Sequence, residues 1–381
     1  MRPISSRFAR ALETSHKRVT KITCTVPGDD PLEIGQSIQD ANGRYGPGWT
    51  SGSVSASNSG GTRYSATLTV VPEPGNDTYQ ALSTPGAVFD IDHGIDFGAG
   101  DMELVDCGVY EAVKGGVRIT GGDISLTLED RYTRVQRCRF TAPYSPGTGA
   151  RGALAAEAVV DAIPDVVTLV LADGGTYTAG NNVWDRDRTQ FLTDMSTDGS
   201  LYMGFDAGGV WIVQNEPVLD IGAAVWTFRT GTKSNIFTAD RDMPLDQLYN
   251  TVIVVPIDET QTWTRQEVPV LNPDHPRHHS KIGVVPFFYV SPTLTTAEEA
   301  IAAGETILQR LLGTTGVINV TALSNPALEP GDNTFVVHED TDTDPGLDDL
   351  YLLNSWQMDL ATGEMSFTAR ASELAEIEEA A

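Results

Sequence analysis

The last third of the chain sets short apolar strands around one amphipathic helix, an order that buries its apolar faces only in stacked layers. Leu248-Tyr249-Asn250-Thr251-Val252-Ile253-Val254-Val255 reads as a strand, and a polar loop separates it from Phe287-Phe288-Tyr289-Val290-Ser291-Pro292. A helix is predicted over 297–312, where Ala300, Ile301, Ile307, Leu308, Leu311 and Leu312 form an apolar stripe. Thr295 with Glu298, or Thr296 with Glu299, can box its start, and Gly313 stands where a C-terminal cap belongs. Strands follow at 317–323 and 334–338. Between them Pro330 presets φ and Gly331 permits a positive φ, so Pro326–Asp332 is a tight turn. A hairpin over 350–370 turns at Ala361-Thr362-Gly363. Nothing in this run carries reaction chemistry; it reads as a docking scaffold.

The first 145 residues are also mostly β. Arg63-Tyr64-Ser65-Ala66-Thr67-Leu68-Thr69-Val70 alternates as a half-buried strand does, and Val19–Val26, Gly108–Val113, Val117–Thr120 and Ile124–Glu129 read as further strands. Lys114-Gly115-Gly116 is read as a hairpin turn, and the Gly- and Ser-rich run Asn42–Gly61 as a loop or extended arm. Residues 2–14 read as a short helix whose Ile4, Phe8, Ala11 and Leu12 recur at helical spacing. Pro143–Gly152 reads as a linker. A different texture follows: a helix over Ala153–Ala162, a buried strand at Val166–Leu171, a helix carrying Trp184, Arg188, Phe191, Leu192 and Met195 that Gly199 closes, and a hairpin through Asp206-Ala207-Gly208-Gly209.

Composition bounds the function. At 381 residues, two or three domains are expected. No run approaches the roughly 20 apolar residues that span a membrane, so no stable membrane insertion is expected. The first helix has Arg2, Arg7 and Arg10 but no apolar core of a secretory signal. Three cysteines (Cys24, Cys107, Cys138) at long spacing suit small buried thiols better than a disulfide framework or zinc knuckle. A formal net charge of −27 repels phosphate, which argues against specific nucleic-acid binding.

Several constellations contain residue types that could carry chemistry. His275, His278 and His279 are the best metal candidates, but a Pro-bracketed polar loop is more often a flexible tip than a zinc site. Asp340, Asp342 and Asp344 start like a calcium loop, yet Gly346 is one place late and Tyr351 stands where Glu belongs. Asp185, Asp187, Asp194 and Asp198 could supply paired carboxylates; Asp185 and Arg188 read instead as N-terminal helix charges and local pairs. Ser15-His16 is no triad, Gly94–Gly100 lacks the strand–turn–helix setting of a nucleotide site, and no phosphate loop or His-Glu-x-x-His is present. No catalytic residue, cofactor or metal is assigned.

The C-terminal order of strand, helix, Pro-Gly-Asp turn and hairpin resembles the minor tail proteins that form the tail hub of long-tailed phages of actinobacteria. So does the N-terminus, with Met1-Arg2-Pro3-Ile4-Ser5-Ser6-Arg7-Phe8-Ala9-Arg10-Ala11-Leu12 followed by Ser15-His16-Lys17-Arg18-Val19-Thr20. Where family members often carry a second aromatic in the middle helix, this chain has Thr189 and Gln190. The family is similar to myophage baseplate hubs. The resemblance implies a mainly β fold with two barrel-like β domains flanking a small α+β module: a helical arm at 1–16, a first β domain at 17–145, the module at 146–240, a second β domain at 241–372 and an acidic tail at 373–381. It further implies a virion structural protein, not an enzyme, that forms a homotrimeric hub at the tail tip. Its expected partners are the distal tail ring, tape-measure protein and fibre or other tip proteins, with DNA passing through its channel. Ile4, Phe8, Leu12, Ile307 and Leu311 are the expected interface residues, the N-terminal helix being expected to expose its apolar face. Two other readings stay open: a carbohydrate- or receptor-binding tip using Trp49, Trp184 and Trp211, and a metal-assisted cell-wall hydrolase using the three histidines.

Overall fold

The computed structural model describes residues 1–14, 16–35, 48–58, 61–72, 78–116, 122–179, 182–231, 234–242, 248–257, 263–312, 317–337 and 350–371. Its fold is mainly β with an α+β insert, as the sequence indicates. The dominant feature is a sheet of thirteen described strands. Their main order is Ile236–Asp242, Val317–Leu323, Glu364–Ala371, Leu350–Asp359, Gly48–Ser57, Tyr64–Val71, Ile124–Asp130, Asp101–Gly116, Val88–Gly98, Lys17–Thr25 and Leu32–Ile34. Asn333–Val337 pairs with Leu350–Asp359 and carries Ala224–Arg229 in parallel on its other side.

The two β blocks are therefore hydrogen-bonded to each other. Ser53–Ser57 pairs antiparallel with Ser355–Asp359. One apolar cluster joins Ile22, Trp49, Leu68 and Tyr110 from the first block to Met358 and Phe367 from the last, and takes in Phe228 of the strand Ala224–Arg229 as well.

The strand Gly48–Ser57 lies in the segment expected to be a loop, and that expectation is corrected. Its apolar side chains are few but correctly spaced: Trp49, Val54 and Ala56 are buried. At Gly52 a Cβ would stand 2.7 Å from Leu68 Cδ2 and 2.9 Å from the Thr67 carbonyl, so glycine is what lets the neighbouring strand approach. Across the pair, Ser55 Oγ bonds Ser65 Oγ at 2.7 Å and Ser53 Oγ bonds Thr67 Oγ1 at 2.9 Å. Small polar residues thus build a strand here through cross-strand hydroxyl pairs. A second correction concerns Lys114-Gly115-Gly116, which extends the strand Asp101–Gly116 instead of turning it. Opposite Leu126–Thr127 this segment pairs past a register shift between Ala112 and Lys114, so the strand absorbs an extra residue. Val117–Thr120 lies outside the described residues.

The insert packs helices Arg151–Ala162 and Arg188–Asp198 on a small sheet of Leu201–Phe205, Trp211–Asn215 and Thr168–Val170. Its core gathers Phe140, Leu154, Val159, Trp184, Phe191, Met195 and Trp211. The strand read as buried at Val166–Leu171 is instead an exposed edge of this sheet, held by one neighbour among the described residues. A third unit sets helix Ala297–Leu312 on strands Gln266–Pro269, Thr251–Pro256 and Pro286–Ser291. The helix starts as expected. Glu299 N donates to Thr296 Oγ1 at 3.2 Å, while the Glu299 carboxylate reaches back to Thr295 N at 2.9 Å. Gly304 allows this helix to sit against Val268 and Val254 of the sheet. Gly313 and Asp340–Asp344 are outside the described residues.

The N-terminal helix is Ser6–Leu12, capped by Ser5 Oγ, which accepts from Phe8 N at 3.0 Å. The expectation that it exposes its apolar face is overturned. Phe8 and Leu12 are buried against Ile95, Val105 and Ala327, and Ile4 packs on the same cluster. Seven residues cannot hold a helix alone, so the sheet supplies the missing apolar partners. Polar ties fix the dock: Ser5 N and Oγ donate to Glu103 at 2.7 and 2.6 Å, Arg7 pairs with Asp101 at 2.5 Å, and Arg2 N donates to Ala327 O at 2.9 Å. Cys24 and Cys107 are buried thiols, each pushed up to about 11 by burial.

Two outcomes are expected. Phe8→Ala should cost about 3–5 kcal/mol in denaturant unfolding, the range for deleting a fully buried phenyl ring. The second concerns Asp92, paired in register with Asp106. Burial, then the Asp106 carboxylate, push Asp92 from its ordinary 3.8 up to about 6. A raised carboxyl pKa stabilises the fold at low pH, and that contribution is lost as pH rises through about 6. Asp92→Asn should therefore raise Tm above pH 6, with the gain vanishing below about pH 4.

Candidate assembly surfaces and the acidic and histidine clusters

The acidic residues around the helix Arg188–Asp198 are structural. Asp187 caps the helix, accepting from Thr189 N at 3.0 Å and Gln190 N at 3.2 Å. Arg188 is buried and pairs with Asp161 at 2.7 Å while donating to the carbonyls of Cys138 and Ala158; the expected partnership with Asp185 is not formed. Asp185 instead lies beside Arg186 at the surface. Asp194 accepts from Trp184 Nε1 at 2.8 Å and Gln190 Nε2 at 2.7 Å. Asp198 reaches out of the insert to the third unit. It accepts from Tyr289 Oη at 2.7 Å, Ser291 Oγ at 2.8 Å, and both the amide and hydroxyl of Thr293. Burial pushes Asp198 up, while the hydrogen bonds from Thr293, Tyr289 and Ser291 pull it back. Asp187, Asp194 and Asp198 are thus each engaged by hydrogen bonds within the fold, and Asp185 by a surface ion pair.

Arg151 makes the second tie between these units. It is buried, donates to Gly174 O and Thr293 O at 3.2 Å each, and has Glu299 at 3.7 Å. The insert meets the main sheet through Asp130, whose carboxylate accepts from Arg63 N at 2.7 Å, Tyr64 N at 2.9 Å and Tyr132 N at 3.0 Å. Burial nonetheless raises Asp130 to about 6.

The histidine loop is ordered by its neighbours and is not a flexible tip. His275 and His278 are buried, and between them Arg277 is buried too. Arg277 donates to the carbonyls of Leu311 and Leu312 at 3.0 and 3.1 Å and of Tyr249 at 3.3 Å, closing the C-terminal end of the long helix. His275 Nδ1 accepts from Arg277 N at 3.1 Å, and His278 caps the short helix His279–Ile282. Asn250 organises the same region, donating to Arg277 O and Gly283 O and accepting from Val285 N at 2.8 Å. No local pattern in the sequence signals the roles of Asn250 and Arg277. Among the described residues no group of three His, Cys, Asp or Glu side chains is placed to hold a metal.

Trp49, Trp184 and Trp211 are all buried in cores, which removes the aromatic platform a sugar site would need. The expected interface residues are also largely internal. Phe8, Leu12 and Ile307 are buried, and Ile4 and Leu311 are half-buried. The surface apolar groups lie elsewhere. On the strand Pro286–Ser291, Phe287 and Tyr289 pack toward the helix Ala297–Leu312. The alternating residues Phe288 and Val290 point away from it and are 59% and 54% exposed, with Val284 and Ile257 also exposed. Among the described residues that strand pairs with one neighbour, Thr251–Pro256. A second apolar edge runs through Val167, Leu169 and Leu171 on the insert.

No protein family description matches this chain, and no curated protein sequence does. Solved structures do match in shape. The tail protein from Neisseria meningitidis MC58 superposes with a TM-score of 0.63 at 13% identity, covering 93% of this chain and 97% of its own. The 43 kDa tail protein of prophage MuSo2 from Shewanella oneidensis gives 0.58 at 14% identity, covering 92% and 98%. The prophage tail protein gp18 from Listeria monocytogenes EGD-e gives 0.58 at 10% identity, covering 93% and 95%. At these identities what is shared is the fold, and it is shared from end to end.

Proposed function

We propose that this chain is a structural protein of a virion tail, and that it serves as the hub of the tail tip. The end-to-end correspondence of its fold with tail proteins carries this reading. The resemblance of both chain ends to tail-hub minor proteins supports it independently. In this reading three copies form a ring that joins the six-fold tail tube and distal ring to three-fold tip, fibre and tape-measure proteins. Two β blocks per chain let one trimer present six similar units upward and three downward. The chain acts by binding and shape and performs no reaction. Its formal charge of −27 suits a protein beside passing DNA, since it does not retain phosphate.

We assign the contact between copies to the apolar face bearing Phe288, Val290, Val284 and Ile257. Exposed apolar groups concentrated on a sheet edge are costly in a lone chain and typical of an interface. Light scattering on the purified chain should give about three times 40.9 kDa, and negative-stain images should show rings. Phe288→Asp with Val290→Asp should reduce the mass to that of one chain while leaving Tm within a few degrees. A single chain at all concentrations, with rings absent also when tail partners are supplied, would defeat the hub reading.

A further inference from the structure

Where the main sheet meets the insert and the helix Ala297–Leu312, a cavity of about 570 Å³ opens, within the size range of small-ligand sites. Three charged side chains from three different parts of the fold line it. Glu216 follows the strand Trp211–Asn215, Arg310 comes from the helix, and Arg370 from the strand Glu364–Ala371. Arg310 is ion-paired with Glu216. Arg370 has no hydrogen-bond or ion-pair partner for its guanidinium among the described residues. Two guanidiniums therefore line the cavity with one carboxylate, which is paired with Arg310. The excess positive charge stands in a chain whose formal net charge is −27. Burial holds Arg370 below its ordinary range and Glu216 above, so both charges are poorly solvated. Two neutral polar atoms of the lining, Asn58 Oδ1 and Trp211 Nε1, also lack partners among the described residues.

We propose that this cavity binds a small oxyanion, a carboxylate or a phosphate, between Arg370 and Arg310, with Glu216 as the competing counter-charge. A guanidinium presents parallel donors that match either oxyanion, and in a poorly solvated cavity such charge-assisted bonds are strong. Glu216 already occupies part of the donor set, so an incoming oxyanion gains most at Arg370. This inference does not depend on the assembly reading.

Calorimetric titration of the full chain at low ionic strength, with citrate and separately with inorganic phosphate, tests it. Saturable binding of at least one probe is expected. Arg370→Gln should weaken that binding about tenfold or more, the worth of a charge-assisted contact. Glu216→Gln should tighten it, by freeing Arg310. Thermal unfolding checks that each variant is folded. Arg370→Lys keeps the charge but loses the fork, and an intermediate affinity is expected from it; it carries the test if the Gln variant does not fold. Binding of citrate alone assigns a carboxylate, and of phosphate alone a phosphate. No saturable heat from either probe, or an affinity unchanged by both Arg370 substitutions, overturns the proposal.

Discussion

The antiparallel pairing of Ser53–Ser57 with Ser355–Asp359 is the contact on which the rest depends, because it turns the two ends of a 381-residue chain into one sheet. Without it the strands before residue 131 and those after 223 would each have to cover an apolar face alone. With it, Trp49 and Phe89 share a core with Phe228, Met358 and Phe367. Closing so long a loop carries an entropic cost that grows only slowly with length, so a few well-packed strand residues suffice to offset it. Gly52 and the serines around it matter for the same reason. They keep the strand thin enough to sit between two neighbours and still satisfy its outward groups through hydroxyl pairs.

The other two units are fixed to this sheet and to each other by buried polar residues more than by apolar contact. Asp130 gathers three amides between sheet and insert, Asp198 gathers the turn after Pro286–Ser291, and Arg151 crosses the same junction in the opposite sense. Each is strongly directional, and each would leave an uncompensated buried group if its partners moved. Junctions of this kind specify one relative placement of units. The N-terminal helix belongs to the same scheme. Its apolar face is consumed inside the chain, whereas the edge around Phe288 and Val290 stays exposed.

Much of this was legible in the residues. The period-two pattern of 63–70, the capping residues of the helix 297–312, and the Ala361-Thr362-Gly363 turn fixed those elements locally, since each depends on neighbours a few positions away. The mainly β class with an α+β insert followed from such patterns, and the resemblance of the chain ends pointed to the tail-hub fold. Where local reading failed, the cause was a distant partner. Asn42–Gly61 has loop-like composition, but Leu68 and Leu360 need the space that Gly52 leaves. Val166–Leu171 is apolar enough for a core and yet lies at an edge.

What the sequence determined by itself was the local repertoire: strand periods, helix caps, turn glycines, an acidic charge that repels phosphate, and no recognisable catalytic motif. What only the tertiary structure decided was which surfaces are inside. Phe8 and Leu12 are internal because Ile95, Val105 and Ala327 meet them. Arg277 closes a helix 34 residues away in sequence, and Arg370 lines a cavity because Glu216 and Arg310 are brought beside it. Burial and pairing between distant residues are set by the closed sheet, and no window of sequence contains both partners.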